Sequence, residues 1–203
     1  MSHYFTTPES SGKYHEITAT LWGQTCTFLS TDGVFSARRL DPGTSVLFRL
    51  APPPMDRPAR FLDLGCGCGA ITLGLGLSTT SVHIDAIDVN DHALALTAEN
   101  ANRLGLGDRV QVYRPENVPS EILYDEIWSN PPIRIGKQAL HDLLSTWLAR
   151  LTPQGKATLV VGKNLGSDSL HTWLESSGWV VTRVGSSKGF RVFEVHRGYF
   201  VYS

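Results

Sequence analysis

The chain has 203 residues, 41% of them hydrophobic and 18% charged, with 18 Lys and Arg against 19 Asp and Glu. That length buries a sizeable core without disulfides or a structural metal, and the composition excludes a disordered or fibrous chain. A net charge of −1 excludes a protein that is basic all over, the simplest form of nucleic-acid binder.

The charge is unevenly spread. Residues 1–128 carry 9 Lys and Arg against 15 Asp and Glu, whereas residues 129–203 carry 9 against 4. A basic final third suits a polyanion, and equally suits neutralising an acidic first part on folding. Cys26, Cys66 and Cys68, together with a polar stretch from Met1 to Tyr14, fit reduced thiols and a cytoplasmic protein. No run approaches the ~20 apolar residues of a membrane span. Cys66-x-Cys68 has no second pair and the histidines are scattered, so small residues in a tight turn are expected there rather than a metal.

In chain order, Ile17 to Leu29 has β character around Gly23 and is expected to form a hairpin added to the main sheet. Ala51-Pro52-Pro53-Pro54 is a joint that neither a helix nor a central strand accommodates. Arg60 to Leu64 predicts a buried strand, Ala70 to Leu77 a short helix loosened by Gly74 and Gly76, and Val82 to Asp88 a second strand. Asn90 to Leu104 predicts a helix capped by Asn90 or Asp91 and closed by Gly105. Short strands follow at Val110 to Tyr113 and Tyr124 to Ser129. Lys137 to Leu151 is an amphipathic helix with Leu140, Leu144 and Trp147 on one side. Lys156 to Gly162 is a strand, Asp168 to Ser177 a helix, and Trp179 to Val184 with Phe190 to His196 a closing β pair. Alternating strands and helices imply an α/β fold: a Rossmann-like, seven-stranded, mostly parallel sheet with helices on both faces and a short N-terminal β extension. One domain over 1–203 is expected, its residues 1–50 packing on a core of 58–203.

Two segments carry chemistry. Asp63-Leu64-Gly65-Cys66-Gly67-Cys68-Gly69 leaves a strand and opens a helix, so its glycines permit a sharp turn and close approach of a ligand to the main chain. Asp88 ends the next strand, where nucleotide-binding folds place a carboxylate that accepts from ribose hydroxyls. The spacing G-x-G-x-G is more compact than the dinucleotide fingerprint and suits a nucleoside with an amino-acid tail. Read alone, the loop is also compatible with a plain glycine turn beside ordinary strand-end carboxylates. The second segment, Asn130-Pro131-Pro132-Ile133, ends the fourth strand of the series. An Asn side-chain carbonyl and a prolyl carbonyl can jointly accept from a planar NH2 group and aim its lone pair at an electrophile. A rigid loop with a capping Asn is the alternative.

The loop resembles motif I of the class I S-adenosylmethionine-dependent methyltransferases, and Asn130-Pro131-Pro132-Ile133 resembles their motif IV for planar-amine nitrogens. With Leu40-Asp41-Pro42-Gly43-Thr44, Arg134-Ile135-Gly136-Lys137 and Gly189-Phe190-Arg191-Val192, nearly the whole chain is similar to the methyltransferase small domain family, including 16S ribosomal RNA guanine-N2 methyltransferases and their one-domain homologues. The resemblance implies S-adenosylmethionine as cofactor, with Asp63, Gly65, Cys66 and Gly67 holding its methionine part and Asp88 its ribose, beside Val89. It further implies that Phe35 and Ser36 line the cofactor pocket, that Gly43 and Thr44 lie beside the methionine end, and that Glu116 approaches the adenine amine. Phe35 is equally suited to the core, and Glu116 stands where the family usually has Asp. Ile133 departs from the aromatic found in enzymes acting on adenine or on a protein glutamine. The implied activity is methyl transfer to a guanine N2 in ribosomal RNA, free or in the small subunit. A protein glutamine or small planar amine is the alternative substrate, and a cofactor- or RNA-binding module without turnover the alternative class. Arg134, Lys137, Lys163, Lys188 and Arg191 are the candidate RNA contacts, each also readable as solvated surface. Trp147 and Trp173 fall at core positions.

Overall fold

A computed structural model describes residues 13–32 and 38–198. The first two strands, β1 (Tyr14–Leu21) and β2 (Gln24–Thr31), pair antiparallel. Their turn puts both Trp22 (φ 45°) and Gly23 (φ 83°) in the left-handed region, the geometry that matches the twist of a two-residue hairpin. Trp22 is held in this uncommon conformation by its surroundings. Its Nε1 donates to the Ala51 carbonyl at 2.8 Å, and its ring meets Phe48 and Trp128 edge-on.

The seven-stranded sheet comprises β3 (Ala59–Leu64), β4 (Val82–Ile87), β5 (Val110–Tyr113), β6 (Tyr124–Ser129), β7 (Leu151–Gly162), β8 (Trp179–Ser187) and β9 (Phe190–Arg197). Its order is β5-β4-β3-β6-β7-β9-β8. The first five of these strands run parallel and β9 is antiparallel to both its neighbours. Among the described residues the hairpin strands pair with each other alone, as a separate two-stranded sheet, which corrects the expectation that the hairpin joins the main one. Its Ile17, Leu21 and Phe28 are buried instead against α1 (Pro42–Leu50) and α2 (Ala70–Ser78), so side-chain packing rather than strand pairing anchors it. Asn100, in α3 (Asp91–Arg103), completes the attachment: its amide both donates to and accepts from the Leu29 backbone at 2.8 Å.

Alternation along the central strands serves two cores. Phe61 and Trp128 face α1 and α2, while Leu62 and Ile127 face α4 (Lys137–Leu148) and α5 (Ser167–Ser176). Helix α4 stops before Leu151, short of the expected end. Arg150 closes the last turn on the Trp147 carbonyl, and its own carbonyl receives the Tyr124 N–H, so Leu151 already begins β7. Trp147 is buried in the α4 core as expected, and Trp173 stacks on His141 at 3.9 Å.

The glycines of α2 fill a packing role. A Cβ on Gly74 would stand 2.4 Å from Phe48 Cε1 and 2.8 Å from Cζ. Gly→Ala inside a helix ordinarily stabilises by about 1 kcal/mol; here the overpacking cost of about 1–3 kcal/mol reverses the sign. Gly74→Ala is therefore expected to lower the urea midpoint, and a raised midpoint would show that α1 yields freely.

Candidate active site

The sheet order reverses between β3 and β6: the chain runs outward from β3 through β4 to β5, then returns to β6 on the other side of β3. Helices diverge at such a point and leave a crevice at the strand ends. The two chemistry-bearing segments end these neighbouring strands, and the Ser129 hydroxyl ties them together by donating to the Leu64 carbonyl at 2.6 Å. Between them lies a cleft of about 570 Å³ lined by Thr44, Gly65, Cys66, Gly67, Asp88, Val89, Asn130, Pro131, Pro132 and Arg134.

The glycine loop is shaped by its backbone. Gly65, Gly67 and Gly69 have φ of 79°, 57° and 86°, which side-chain-bearing residues rarely adopt. Gly65 and Cys66 donate their N–H groups to the Ile87 carbonyl, fastening the loop to the end of β4. A Cβ on Gly65 would have Pro132 Cδ as its nearest neighbour, 3.9 Å away, so it would project into the cleft and fill a cradle the glycine leaves open. Asp88 braces the same loop. Its Oδ2 accepts from Gly67 N–H at 3.0 Å and its Oδ1 from Asn90 N–H at 2.9 Å, which leaves further lone pairs at the lip for hydroxyl donors. Beside it, Val89 is 73% exposed, an apolar side chain facing a ligand-sized space.

Asp63 takes a different position from the rest. It is fully buried beneath the loop, off the cleft wall. Thr72 donates both its N–H and its hydroxyl to Oδ2, at 2.9 and 2.6 Å, while Oδ1 has no partner. Burial, opposed by the Thr72 hydrogen bonds and aided by the Asp88 charge, raises its carboxyl from 3.8 to about 7. The folded chain thus holds this proton more tightly than the unfolded chain. The stability contributed is full below about 4 and is lost as pH rises through about 7. Asp63→Asn, which has no proton to lose, should gain stability relative to wild type across that window in urea titrations of the cofactor-free protein. A pH-independent difference would overturn this.

Asn130 is held by residues that sequence reasoning did not assign to it. Its Nδ2 donates to Asp41 Oδ1 at 2.6 Å and to Thr44 Oγ1 at 3.2 Å. Asp41 is the N-cap of α1, accepting from Thr44 N–H at 2.9 Å. The helix that Asp41 caps, Pro42–Leu50, was not among the elements expected from sequence, and neither was its contact with Asn130. Gly43 sits where a Cβ would press on Asp41 Oδ1, on Phe190 Cε1 (both 3.0 Å) and on Asn130 Nδ2 (3.2 Å). Phe190, likewise unassigned from sequence, brings an aromatic ring to the cleft.

Other expected site residues lie elsewhere. Phe35 and Ser36 fall outside the described residues. Ile133 begins the 3-10 turn Ile133–Ile135 after the two prolines. Glu116 is off the cleft wall and paired with Arg114 at 3.5 Å, while the adjacent Pro115 lines the cleft. Arg191 is mostly buried and ion-paired with Asp168 of α5, because the pleat turns it toward that helix. Lys137 is exposed at the start of α4. Lys163 and Lys188 are exposed near each other at one strand end, where Lys163 N–H meets the Gly189 carbonyl at 2.7 Å. Burial raises both loop thiols, that of Cys68 to about 11, so they are held protonated. Among the described residues no three His, Cys, Asp or Glu side chains gather in a way that could hold a metal, and no helix is long and apolar enough to cross a membrane.

A cleft at the switch point of a Rossmann-like sheet, walled by a glycine loop and an Asn-Pro-Pro turn, is the arrangement of the class I methyltransferase fold. The methyltransferase small domain family model matches residues 25–194, and the chain belongs to that family. It is an S-adenosylmethionine-dependent methyltransferase related to ribosomal RNA methyltransferases. Over 84% of its length it is 31% identical to YbxB of Bacillus subtilis (strain 168), an uncharacterized protein, and covers 86% of it. It is 30% identical to the ribosomal RNA small subunit methyltransferase C of Colwellia psychrerythraea, matching 86% of this chain and 48% of that one. The chain therefore spans about half the length of the rRNA methyltransferases it matches. Among solved structures, the 16S rRNA N2 methyltransferase RsmC of T. thermophilus, in complex with AdoMet and guanosine, superposes with a TM-score of 0.73 at 22% identity. That match covers 95% of this chain and 52% of the other.

Proposed function

We propose that this protein transfers a methyl group from S-adenosylmethionine to the exocyclic N2 of a guanine in ribosomal RNA, free or within the small subunit. The observation that carries the reading is Asn130 at the switch point, across one strand boundary from the glycine loop, with both donors of its amide engaged by Asp41 and Thr44. Its Oδ1 is then the group left to accept, and with the Pro131 carbonyl it takes the two N–H bonds of a planar amine. These acceptors turn the lone pair toward the cofactor and stabilise the positive charge that develops on nitrogen. When bound, the cofactor supplies a sulfonium methyl whose carbon–sulfur bond breaks as the nitrogen–carbon bond forms, the amine proton leaving to water. Positioning does most of the work, since the amine becomes acidic only as it is alkylated.

In this reading Gly65, Cys66 and Gly67 take the methionine part in the cradle of the loop, with Asp63 as buried support. Asp88 takes the ribose and Val89 covers the adenine. Gly43 and Thr44 close the methionine end. Arg134 and Lys137, adjoining the turn, and Lys163 and Lys188, at the neighbouring strand end, hold RNA phosphates, while Arg191 stays with Asp168. The chain works as one domain in the cytoplasm, with residues 13–32 and 38–50 docked through the hairpin and α1. The N2 reading also draws on the names of the rRNA methyltransferases it matches.

Mass mapping of rRNA nucleosides from cells with and without the protein tests this directly. A 2-methylguanine lost on deletion and restored on complementation is expected. Labelled methyl that survives nuclease would indicate a protein glutamine instead. Cofactor binding without transfer to any cellular fraction would indicate a non-catalytic module.

A further inference from the structure

We propose that Asp41 is a positioning residue of the reaction: together with Gly43 and Thr44 it forms a socket that admits the Asn130 amide in one orientation only. The inference rests on the reading of Asn130 as the amine-orienting group and adds what orients Asn130 itself.

An asparagine amide has two faces of similar shape, and a flip exchanges an acceptor for a donor. Nothing in Asn130-Pro131-Pro132 chooses between them, because the prolines fix backbone and not the side-chain torsion. The choice is made from the other end of the fold. Asp41 Oδ1 stands 2.6 Å from Nδ2. A carboxylate only accepts, so an amide oxygen turned toward it would meet charge repulsion and leave no hydrogen bond. The bond as seen is short and charge-assisted, about twice as strong as a neutral one. Thr44 Oγ1, at 3.2 Å from Nδ2, is placed to receive the second N–H. Both donors are spent, and Oδ1 is the part of the amide left for a substrate.

The same oxygen of Asp41 caps α1 by accepting from Thr44 N–H at 2.9 Å, so the helix start and the asparagine share one acceptor. This fixes the carboxylate torsion and makes the socket rigid. Gly43 supplies the room: any Cβ there would lie 3.0 Å from Asp41 Oδ1 and 3.2 Å from Asn130 Nδ2, wedging between the two partners. A glycine inside the first turn is otherwise unfavourable for a helix, which gives it a reason beyond helix formation. During transfer the amine nitrogen becomes positive, and the Asp41 charge, one hydrogen bond behind Asn130, makes Oδ1 a stronger acceptor for it.

Two substitutions separate capping from positioning. Asp41→Ser keeps a good N-cap, but its oxygen lies one bond closer to the backbone and no longer reaches Nδ2. Asp41→Asn keeps an oxygen at the Oδ1 position and removes the charge. The test uses the full chain labelled with 15N-asparagine, without cofactor or RNA, the Asn130 signal being identified by its loss in Asn130→Ala. In wild type the Asn130 side-chain amide protons are expected to lie downfield and to exchange slowly with solvent. In Asp41→Ser they should move to the position and exchange rate of an exposed amide while the backbone spectrum stays folded, with Asp41→Asn intermediate. Should Asp41→Ser fail to fold, the Asp41→Asn and Thr44→Val shifts decide instead. Wild-type Asn130 protons indistinguishable from an exposed amide, or unmoved by these substitutions in a folded protein, would overturn the proposal. With small ribosomal subunits and labelled S-adenosylmethionine, Asp41→Ser should lose about a hundredfold in kcat at unchanged cofactor Kd, and Asp41→Asn should recover part of it. Unchanged kcat in Asp41→Ser would likewise overturn it. No transfer by wild type defeats the ribosomal RNA reading instead, and the amide signals then decide the role of Asp41 by themselves.

Discussion

Asn130→Ala is expected to bind S-adenosylmethionine as tightly as wild type and to lose methyl transfer by about two to three orders of magnitude in kcat, the size of effect seen when one preorganised polar group is removed from a transition state. The side chain touches Asp41 and Thr44, and its backbone follows directly on the last residue of β6, Ser129. The glycine loop and Asp88 bind each other and the end of β4, and none of those hydrogen bonds passes through Asn130. Removing the side chain therefore deletes one acceptor for the amine and leaves the cofactor half of the cleft intact. The Pro131 carbonyl alone cannot fix the plane of an NH2 group, so the loss should fall on kcat. Calorimetry with S-adenosylmethionine and turnover on small ribosomal subunits separate the two quantities. Equal turnover in the variant removes the mechanism; a large loss of cofactor affinity would mean that Asn130 serves the cofactor rather than the amine.

The complementary change is Asp88→Ala, which should weaken cofactor binding by about a hundredfold. Asp88 has two tasks on one carboxylate. It braces the loop by accepting from Gly67 and Asn90, and it offers the lip acceptor proposed for the ribose. Hydrogen bonds to a charged group contribute about 1.5–3 kcal/mol each, and a hundredfold in Kd corresponds to about 2.7 kcal/mol. One lost ribose contact together with a loosened Gly67 is enough to reach it. A modest fall in stability should accompany the change, because two N–H groups lose their acceptor. Asp88→Asn keeps one acceptor oxygen and should fall between wild type and Ala. Cofactor affinity unaltered in Asp88→Ala, measured by calorimetry, would refute the assignment.

Legibility from sequence followed locality. The strand 60–64, its glycine turn, the carboxylate at 88 and the turn at 130 were readable because each is encoded within a few consecutive residues: apolar runs, glycines at positions of positive φ, prolines that forbid continuation. Helix α3 was readable to a choice of two caps, Asn90 or Asp91, and the structure selects Asn90, whose Oδ1 accepts from His92 N–H at 3.0 Å. The hairpin was readable as a hairpin, but not its separation from the main sheet, since that depends on Ile17, Leu21 and Phe28 finding α1 and α2. Surface residues were the least legible, because folding sets their partners. Arg191, a candidate RNA contact by its basic side chain, is paired with an acid that folding brings near, Asp168.

Sequence by itself determined the class of chemistry, because a glycine loop after a strand, a carboxylate after the next strand and an Asn-Pro-Pro turn are short-range patterns with direct backbone causes. Only the tertiary structure decided how that chemistry is assembled. It drew Asp63 beneath the loop, where burial raises its carboxyl, and turned Glu116 from the cleft toward Arg114. It also brought Asp41 to Asn130 across 89 positions of chain. The physical reason is that the sheet order makes β3 and β6 neighbours and sets α1 against the end of the latter. Contacts between residues so far apart are selected by which layers pack together, and no local pattern around position 41 or 130 records the partner.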